Sequence, residues 1–277
     1  MGLFDFFRKN KVTVGSGGNS VESEANHVTG HCFVLCATAE PGDPSRAGEI
    51  VEQVFGRDHS AEIGHDGIVI NVSRGNNAVG HLVHAPFHIP TQEAEECADR
   101  NFLWPNGKEE AAKHQSHVIV VNTNADAQTS IQSAITVSRL ALVAMRIFDG
   151  IGVYWGNAGV SNSREVFENS CDGMSEQHLP VPMWVRFQVT SAANDEIGMY
   201  TSGMRQFGLM ELEVDRCRMT LAELSGFVGD LAHYLLQRGP VINDEDTCGG
   251  SGDQRIVVRH RSSMIDEDRL VYKIIMD

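Results

Sequence analysis

The sequence has few basic residues, and this deficit excludes one large class of partner. Lys and Arg number 22 against 37 Asp and Glu, which gives a formal net charge of -15 at pH 7. Such a chain repels nucleic-acid phosphates and anionic lipids unless its basic residues are concentrated in one patch. The nearest approach to a patch is Arg255, Arg259 and Arg261, which alternate along a predicted strand and so indicate one solvated strand face. We therefore expect no nucleic-acid partner.

Dense cysteine pairing and long apolar runs are also missing. The six cysteines are scattered, unlike those of a secreted disulfide scaffold, so reduced thiols are expected. Cys32 and Cys36 would lie ~13 Å apart on a strand, too far to bridge or to share an ion, and are predicted core residues. No apolar run approaches the ~18 residues of a membrane span, and the N-terminus lacks a signal-peptide core. We expect a cytoplasmic protein without stable membrane insertion.

Motifs of known chemistry are absent as well. The chain contains no Gly-x-Ser-x-Gly elbow, His-Glu-x-x-His pair, phosphate-binding loop or dinucleotide fingerprint. His81, His84 and His88 are close in sequence, but on a strand no two of them converge on one ion, and Pro86 excludes a helix interior. The acidic segment 243–250 departs from a calcium loop at the position that needs a bidentate Glu. Neither a metal nor a cofactor is predicted.

What is present indicates a globular α+β protein of 277 residues, 42% hydrophobic and 21% charged. Residues 1–26 are predicted to form a short amphipathic tail followed by a flexible linker, since Leu3, Phe4 and Phe7 have helical spacing and a Gly/Ser-rich stretch comes next. Residues 27–123 form a first half and residues 124–277 a second.

The order of predicted elements over residues 31–122 is βαββαβ, which is that of a ferredoxin-like unit. The second half is predicted to be α+β with antiparallel strands, packed with the first as one compact unit. Its best-defined element is a helix over 220–238, which opens with a capping box at Thr220 and Glu223. The predicted strands are 31–37, 67–73, 79–87, 117–122, 153–155, 182–190, 197–202, 207–214, 254–261 and 269–276. The predicted helices are 44–55, a stretch over 91–115 that is broken at 105–107, 126–148, 163–172 and 220–238.

Two carboxylates near the predicted strand 207–214 are the main candidate for chemistry. If Met210, Leu212 and Val214 point to the core, Glu211 and Glu213 share the opposite face, ~7 Å apart along the chain. Two such carboxylates could act as acid and base across a substrate. The alternative is an amphipathic strand with one face in water.

Other residues could complete such a site. Thr201 and Arg205 precede the two carboxylates in sequence, and Tyr154, Trp155 and Trp184 could line a pocket, because aromatic side chains with one polar edge often do so. The alternative for these aromatics is a place in the core. His117, at the edge of an apolar predicted strand, is a further candidate for catalysis, or else a hydrogen-bonded core histidine.

Several segments in order along the chain resemble an uncharacterised bacterial family. They are 86–90 (Pro-Phe-His-Ile-Pro), Trp104-Pro105 with His114, 117–120, 152–156 (Gly-Val-Tyr-Trp-Gly), 179–181 with Trp184, 200–213, and Asp246-Thr247 with Gly249. Together they are similar to the proteins grouped as domain of unknown function family 4261. This resemblance implies a bacterial, intracellular setting and an α+β fold. It transfers no catalytic residues, because no activity is established for the family.

Two classes of function follow. The first is a non-catalytic binding or regulatory protein, for example of the immunity type, whose partner is another protein or a second copy of the chain. The second is an enzyme that uses Glu211, Glu213, Arg205 and His117. A structural or assembly role, with the amphipathic tail as the point of contact, is a third.

Overall fold

The computed structural model describes most of the chain after the predicted tail and linker. The described residues are 30–64, 67–124, 129–191, 196–248 and 256–276. Residues 1–26, for which the sequence predicts a tail and linker, lie outside these ranges. Within them there are seven α-helices, and twelve strands form two sheets. This confirms the α+β class.

The first sheet contains seven strands. They are β1 (His31–Cys36), β2 (His59–Ile63), β3 (Val69–Arg74), β4 (Asn77–Ala85), β5 (Ser116–Asn122), β6 (Gly150–Trp155) and β7 (Val160–Ser163). Their order across the sheet is β2-β3-β4-β5-β1-β6-β7, and each neighbouring pair is antiparallel. A tight turn at residues 74–77 joins β3 to β4.

The ferredoxin-like order predicted for residues 31–122 is not the one observed. That order would place β1 between β4 and β5. Instead β5 lies between β4 and β1, and the other edge of β1 pairs with β6. Because β6 and β7 follow residue 123 in the chain, the predicted boundary between the halves does not coincide with the boundary between the sheets. Alternating apolar residues identified strands here, but they could not specify which edges pair.

The helices cover the sheets and fill the space between them. They are α1 (Ala47–Phe55), α2 (Glu93–Asp99), α3 (Gly107–Ala111), α4 (Ser130–Ile147), α5 (Arg164–Cys171), α6 (Val181–Trp184) and α7 (Leu221–Arg238). The capping box predicted at Thr220 and Glu223 is confirmed at the start of α7. The predicted start of the longest helix, residues 126–128, lies outside the described residues, and Thr129 Oγ1 caps α4 by accepting from Gln132 N at 3.2 Å.

Helix α4 is the centre of the molecule. It packs against β1, β4, β5 and β6 and is buried along most of its length. Trp184 Nε1 donates to Ser138 Oγ of α4 at 2.9 Å, so α6 is joined to the same helix. One continuous apolar core then includes residues of both sheets, Cys32 and Cys36 among them, as predicted. This core accounts for the compact packing of the two halves.

The second sheet contains β8 (Arg186–Ser191), β9 (Ile197–Ser202), β10 (Leu212–Cys217), β11 (Ile256–Ser262) and β12 (Leu270–Met276), in the order β11-β12-β10-β9-β8. Strands β10 and β12 are parallel, and the other neighbours are antiparallel. One face buries Leu212, Val214, Tyr272 and Ile274 in the core. The opposite face is polar.

Between β9 and β10 the chain forms a 3-10 turn at Met204–Phe207 where the sequence predicted the start of a strand. Gly203, with φ 122°, and Gly208, with φ 74°, lie on either side of this turn. These positive φ values favour glycine, because a Cβ atom disfavours that backbone conformation. The chain is therefore turned sharply just before β10, and β10 begins at Leu212.

Candidate functional site

A small polar pocket lies on the polar face of the second sheet. Its volume is about 140 Å³. The end of β9, the 3-10 turn, β10 and the segment between β11 and β12 surround it. Its lining residues are Arg186, Tyr200, Thr201, Ser202, Arg205, Glu211, Glu213, Ser263, Ile265, Asp266, Arg269 and Val271.

Glu211 caps the 3-10 turn with both of its carboxylate oxygens. Oε1 accepts from Gly203 N at 2.9 Å and Arg205 N at 3.3 Å. Oε2 accepts from Met204 N at 3.2 Å and from Thr201 Oγ1 at 2.8 Å. Three consecutive amides that the turn would otherwise leave without partners are satisfied in this way. Glu211 therefore fixes the backbone that carries Arg205.

Glu213 is buried, only 2% exposed, and it anchors the segment that follows β11. Oε1 accepts from Ser263 Oγ, and Oε2 accepts from Met264 N at 3.0 Å and from Lys273 Nζ at 2.9 Å. Burial lowers the pKa of Lys273, but hydrogen bonds to Asp215 and Glu213 outweigh it, and the net direction is upward. The ammonium ion of Lys273 thus compensates the buried carboxylate.

Three arginines supply positive charge around the pocket. Arg269 is paired with Asp266, with Nε and Oδ2 2.5 Å apart. Arg205 is exposed and donates to the carbonyl oxygen of Leu270 at 3.4 Å. Arg186 donates from Nη1 to the carbonyl oxygen of Gly159 at 3.4 Å, while its buried Nε has no hydrogen-bond partner among the described residues. The carboxylate oxygens of both glutamates already accept hydrogen bonds from the protein. The arginine donors that these bonds do not use can therefore bind an anionic group.

An apolar lip borders the pocket. It consists of the exposed side chains of Met264, Ile265 and Leu270. Met264 and Ile265 are on the segment that joins β11 to β12, and Leu270 is the first residue of β12. Ile265 is 58% and Leu270 54% exposed. A charged pocket beside exposed apolar side chains has the composition of a small interaction surface.

The aromatic residues predicted to line a pocket belong instead to the core. Trp155 and Trp184 are buried, and their ring centroids are 6.3 Å apart. Gln206 joins both to the 3-10 turn: its Oε1 accepts from Trp155 Nε1 at 2.9 Å, and its Nε2 donates to the carbonyl oxygen of Trp184 at 2.8 Å. Trp155 and Trp184 therefore contact segment 200–213 through Gln206, but they lie in the core beneath the turn and do not line the pocket.

Tyr154 and His117 lie in the first sheet, away from the lining of the pocket. The hydroxyl of Tyr154 donates to Glu93 Oε2 at 3.2 Å, and burial raises the pKa of this side chain. His117 Nδ1 donates to the carbonyl oxygen of Phe87 at 2.9 Å. Burial lowers the pKa of His117 more than this hydrogen bond raises it, so the neutral form is favoured. Both residues have the core role that was the alternative to a site role.

The acidic loop and the basic residues near the C-terminus neutralise each other. Arg261 Nη1 is 3.2 Å from Asp244 Oδ1, and Arg259 Nη2 is 3.4 Å from Glu245 Oε2. Gly249, Gly250 and Arg255 lie outside the described residues. Asp244 is thus paired with an arginine, and Asp246 Oδ2 accepts from Asn243 N at 2.7 Å.

Sequence parity predicted part of this site. Leu212 and Val214 point into the core, and Glu213 is on the opposite face, as predicted. Three residues that the sequence argument missed are Ser263, Arg269 and Lys273, which come from the distant segment 263–273. The one available signal was Lys273, a single charged residue within the apolar strand β12. Because β12 is an interior strand of its sheet, the charge of Lys273 is partly buried and needs an oppositely charged partner.

The fold and the pocket define an α+β protein with a small, charged pocket on one sheet. Residues 200–275, which contain nearly all of the pocket, match the family model described as Domain of unknown function (DUF4261). The resemblance seen in the sequence is confirmed for this segment. No curated protein and no solved structure matches the chain. No helix within the described residues has the length and apolarity needed to cross a bilayer.

Proposed function

We propose that this chain is a non-catalytic binding or regulatory protein of the bacterial cytoplasm, of the immunity type, and that the pocket recognises an acidic side chain of a partner protein. The observation that carries the proposal is the hydrogen bonding of Glu211 and Glu213. All four of their carboxylate oxygens accept hydrogen bonds from the protein itself. The two glutamates hold the walls of the pocket in place, and the arginines that line it can bind a ligand.

The enzyme alternative is less well supported for the same reason. A general acid or base must exchange a proton with the substrate through an atom within hydrogen-bond reach of it. Oε1 and Oε2 of Glu211 are directed at the amides of the turn, and those of Glu213 at Ser263, Met264 and Lys273. Releasing Glu211 would leave the amides of the turn without acceptors. Releasing Glu213 would detach Ser263 and Met264 and leave Asp215 as the remaining carboxylate beside Lys273.

A protein partner fits the surroundings of the pocket better than a small molecule does. The volume of about 140 Å³ holds one carboxylate group, whereas ligand pockets are usually ~300 Å³ or larger. The apolar lip provides a surface outside the pocket on which neighbouring residues of a partner can pack. An acidic residue beside an apolar one, on another protein or on a second copy of this chain, would match both features.

The direct test uses two synthetic hexapeptides, one of alternating Glu and Leu and one with each Glu replaced by Gln. Addition of the acidic peptide to the full chain should shift the amide NMR signals of residues 200–213 and 263–271. The Gln peptide should not. Arg205→Gln should abolish the shifts, and Arg57→Gln should keep them, because the Arg57 side chain is 93% exposed and is paired with Glu52, away from the pocket. Equal shifts from both peptides, or none from either, would contradict the proposal.

The case of a second copy as partner is tested by sedimentation velocity at increasing concentration. If copies of the chain bind each other through this surface, Ile265→Asp should lower the sedimentation coefficient at high concentration. A chain that stays monomeric leaves a different protein as the partner. Self-association that Ile265→Asp does not change would place that contact elsewhere.

A further inference from the structure

A second group of titratable side chains lies in segments that flank strands of the first sheet, away from the pocket. His88 follows β4, Glu95 is in α2, and His114 follows α3. His88 Nε2 is 3.1 Å from Glu95 Oε1, and His114 Nδ1 is 3.8 Å from the same oxygen. One nitrogen or oxygen atom of each residue lies within 4.8 Å of the others. The Glu95 side chain is only 5% exposed, whereas that of His88 is 42% exposed.

The protonation of His114 is fixed by its two neighbours. Its Nδ1 is 2.7 Å from the carbonyl oxygen of Ala111, which can only accept a hydrogen bond. Its Nε2 accepts from the backbone N–H of Ile89 at 3.0 Å, which can only donate. His114 is therefore neutral, with its proton on Nδ1, and both nitrogens are used. It positions Ile89 and stacks on His88, with ring centroids 3.6 Å apart.

The same reasoning leaves one nitrogen of His88 for Glu95. His88 Nδ1 is 3.0 Å from the carbonyl oxygen of Ile89, so Nδ1 carries a proton. In the neutral ring Nε2 is then an acceptor, and it faces Glu95 Oε1, another acceptor, at 3.1 Å. Two acceptors at this distance need a cation or a proton between them.

The surroundings of Glu95 Oε2 favour a metal ion over a proton between His88 and Glu95. This oxygen is buried and has no hydrogen-bond partner in the part of the chain that the structure describes. A proton between His88 and Oε1 would leave Oε2 unsatisfied, which is costly for a buried oxygen. A metal ion bound to both carboxylate oxygens and to His88 Nε2 satisfies all three atoms. We propose that His88 and Glu95 bind a divalent transition-metal ion, with His114 as the positioning residue.

The geometry and the ligand types suit such an ion. Two ligand atoms 3.1 Å apart, each ~2.1 Å from an ion, subtend an angle of roughly 95°, which is close to that of neighbouring ligands in an octahedron. Imidazole with carboxylate selects Zn²⁺, Co²⁺ or Ni²⁺ over Mg²⁺ and Ca²⁺, which prefer oxygen ligands alone. The hydrogen bond from His88 Nδ1 to a backbone carbonyl is the usual support of a metal-bound histidine. The exposed side of His88 gives the ion a path from solvent.

The sequence argument missed this group because it compared His88 only with His81 and His84, its neighbours along the chain. His81 Nδ1 contacts Asn71 Oδ1 at 2.8 Å, and His84 Nε2 contacts Ser116 Oγ at 3.0 Å. Neither converges with His88, as predicted. The partner of His88 is Glu95, on a helix that starts after two residues of positive φ, Thr91 and Gln92, so spacing along a strand or a helix could not reveal it.

The test is calorimetric titration of the full chain, stripped with a chelator, with Zn²⁺ and separately with Co²⁺. One ion should bind per chain, and His88→Gln and Glu95→Gln should each weaken its binding by at least about tenfold, since loss of even an outer-shell partner costs that much. His59→Gln is the matched control, because His59 Nδ1 also contacts a carboxylate, Asp58 Oδ1, at 2.8 Å, but the side chain of Asp58 is 53% exposed. The His59→Gln variant should bind the ion with the same affinity as the wild type.

Circular dichroism and thermal melts of the metal-free variants show whether each is folded. Should Glu95→Gln fail to fold, His88→Gln still decides, because His88 is partly exposed. The visible absorption of bound Co²⁺ should show a nitrogen ligand in the wild type and lose that signature in His88→Gln. Absence of binding at millimolar metal, or binding that both variants retain, would overturn the proposal and leave a proton between His88 and Glu95.

Discussion

Glu213 and Lys273 lie directly opposite each other on the parallel strands β10 and β12, with Oε2 and Nζ 2.9 Å apart. Because the carboxylate is buried and the ammonium ion nearly so, the pair joins two segments 60 residues apart in the chain. It also holds one wall of the pocket, through Ser263 and Met264.

Removal of one member of this pair should destabilise the fold. Lys273→Met is expected to lower the free energy of unfolding by about 3 kcal/mol, because it leaves a buried carboxylate without its counter-charge. Asp215→Asn is the control: Asp215 is also paired with Lys273, but it is exposed, so its loss should cost under about 1 kcal/mol. Urea denaturation measures both, and equal effects would show that burial is not the cause.

Glu211→Gln should loosen the turn that carries Arg205. The amide can still accept on one side, but its NH₂ group faces backbone donors, so we expect a loss of about 1–3 kcal/mol in the free energy of unfolding. Hydrogen exchange should accelerate at the amides of Gly203, Met204 and Arg205 before the rest of the sheet is affected. Unchanged exchange there, with a selective loss of activity on some substrate, would favour the acid/base enzyme instead.

Gly203 and Gly208 form a matched pair for backbone substitution. An added Cβ at Gly203 would lie 2.6 Å from the carbonyl oxygen of Trp184 and 2.8 Å from Ala158 Cβ, whereas one at Gly208 meets nothing within 4 Å. Gly208→Ala should therefore cost about 1–2 kcal/mol through its positive φ alone. Gly203→Ala should cost more, since the backbone must also move. Thermal melts would contradict this if the two alanines were equivalent.

The protein should lose stability as the pH falls through the range of histidine titration. Burial lowers the pKa of both His84 and His117 below the ordinary value of 6.5. Their stabilising effect is fully present above 6.5 and is lost as the pH falls toward the folded-state values, because the unfolded chain binds more protons there. Urea midpoints measured between about pH 7 and pH 5 should fall, and His117→Gln should reduce that slope. An unchanged slope in the variant would remove His117 from this account.

The cysteines should differ sharply in reactivity. Burial raises the pKa of Cys36 and of Cys171 to about 12, so few thiolates form, and reagents cannot reach them in the folded state. Cys248 is half-buried, with a pKa that burial raises as well. Titration of the native protein with a thiol reagent should give one faster group, lost in Cys248→Ser, and the others only after unfolding.

The sequence specified what depends on neighbouring residues. Helix α7 follows from a capping box and an apolar stripe, and the orientation of Leu212, Glu213 and Val214 follows from strand parity. What it could not specify depends on contacts between distant segments. The place of β5 between β4 and β1, the approach of Lys273 to Glu213, and the meeting of His88 with Glu95 all arise from the tertiary fold. No local pattern encodes them.

The position of β12 between β10 and β11 has a consequence for how the chain is made. Residues 270–276 are synthesised after the other strands of the second sheet, yet they occupy an interior place in it. Until they emerge from the ribosome, β10 has an open edge and Glu213 has no ammonium ion beside it. The pocket can therefore assemble only after residues 270–276 have been synthesised and β12 has inserted beside β10.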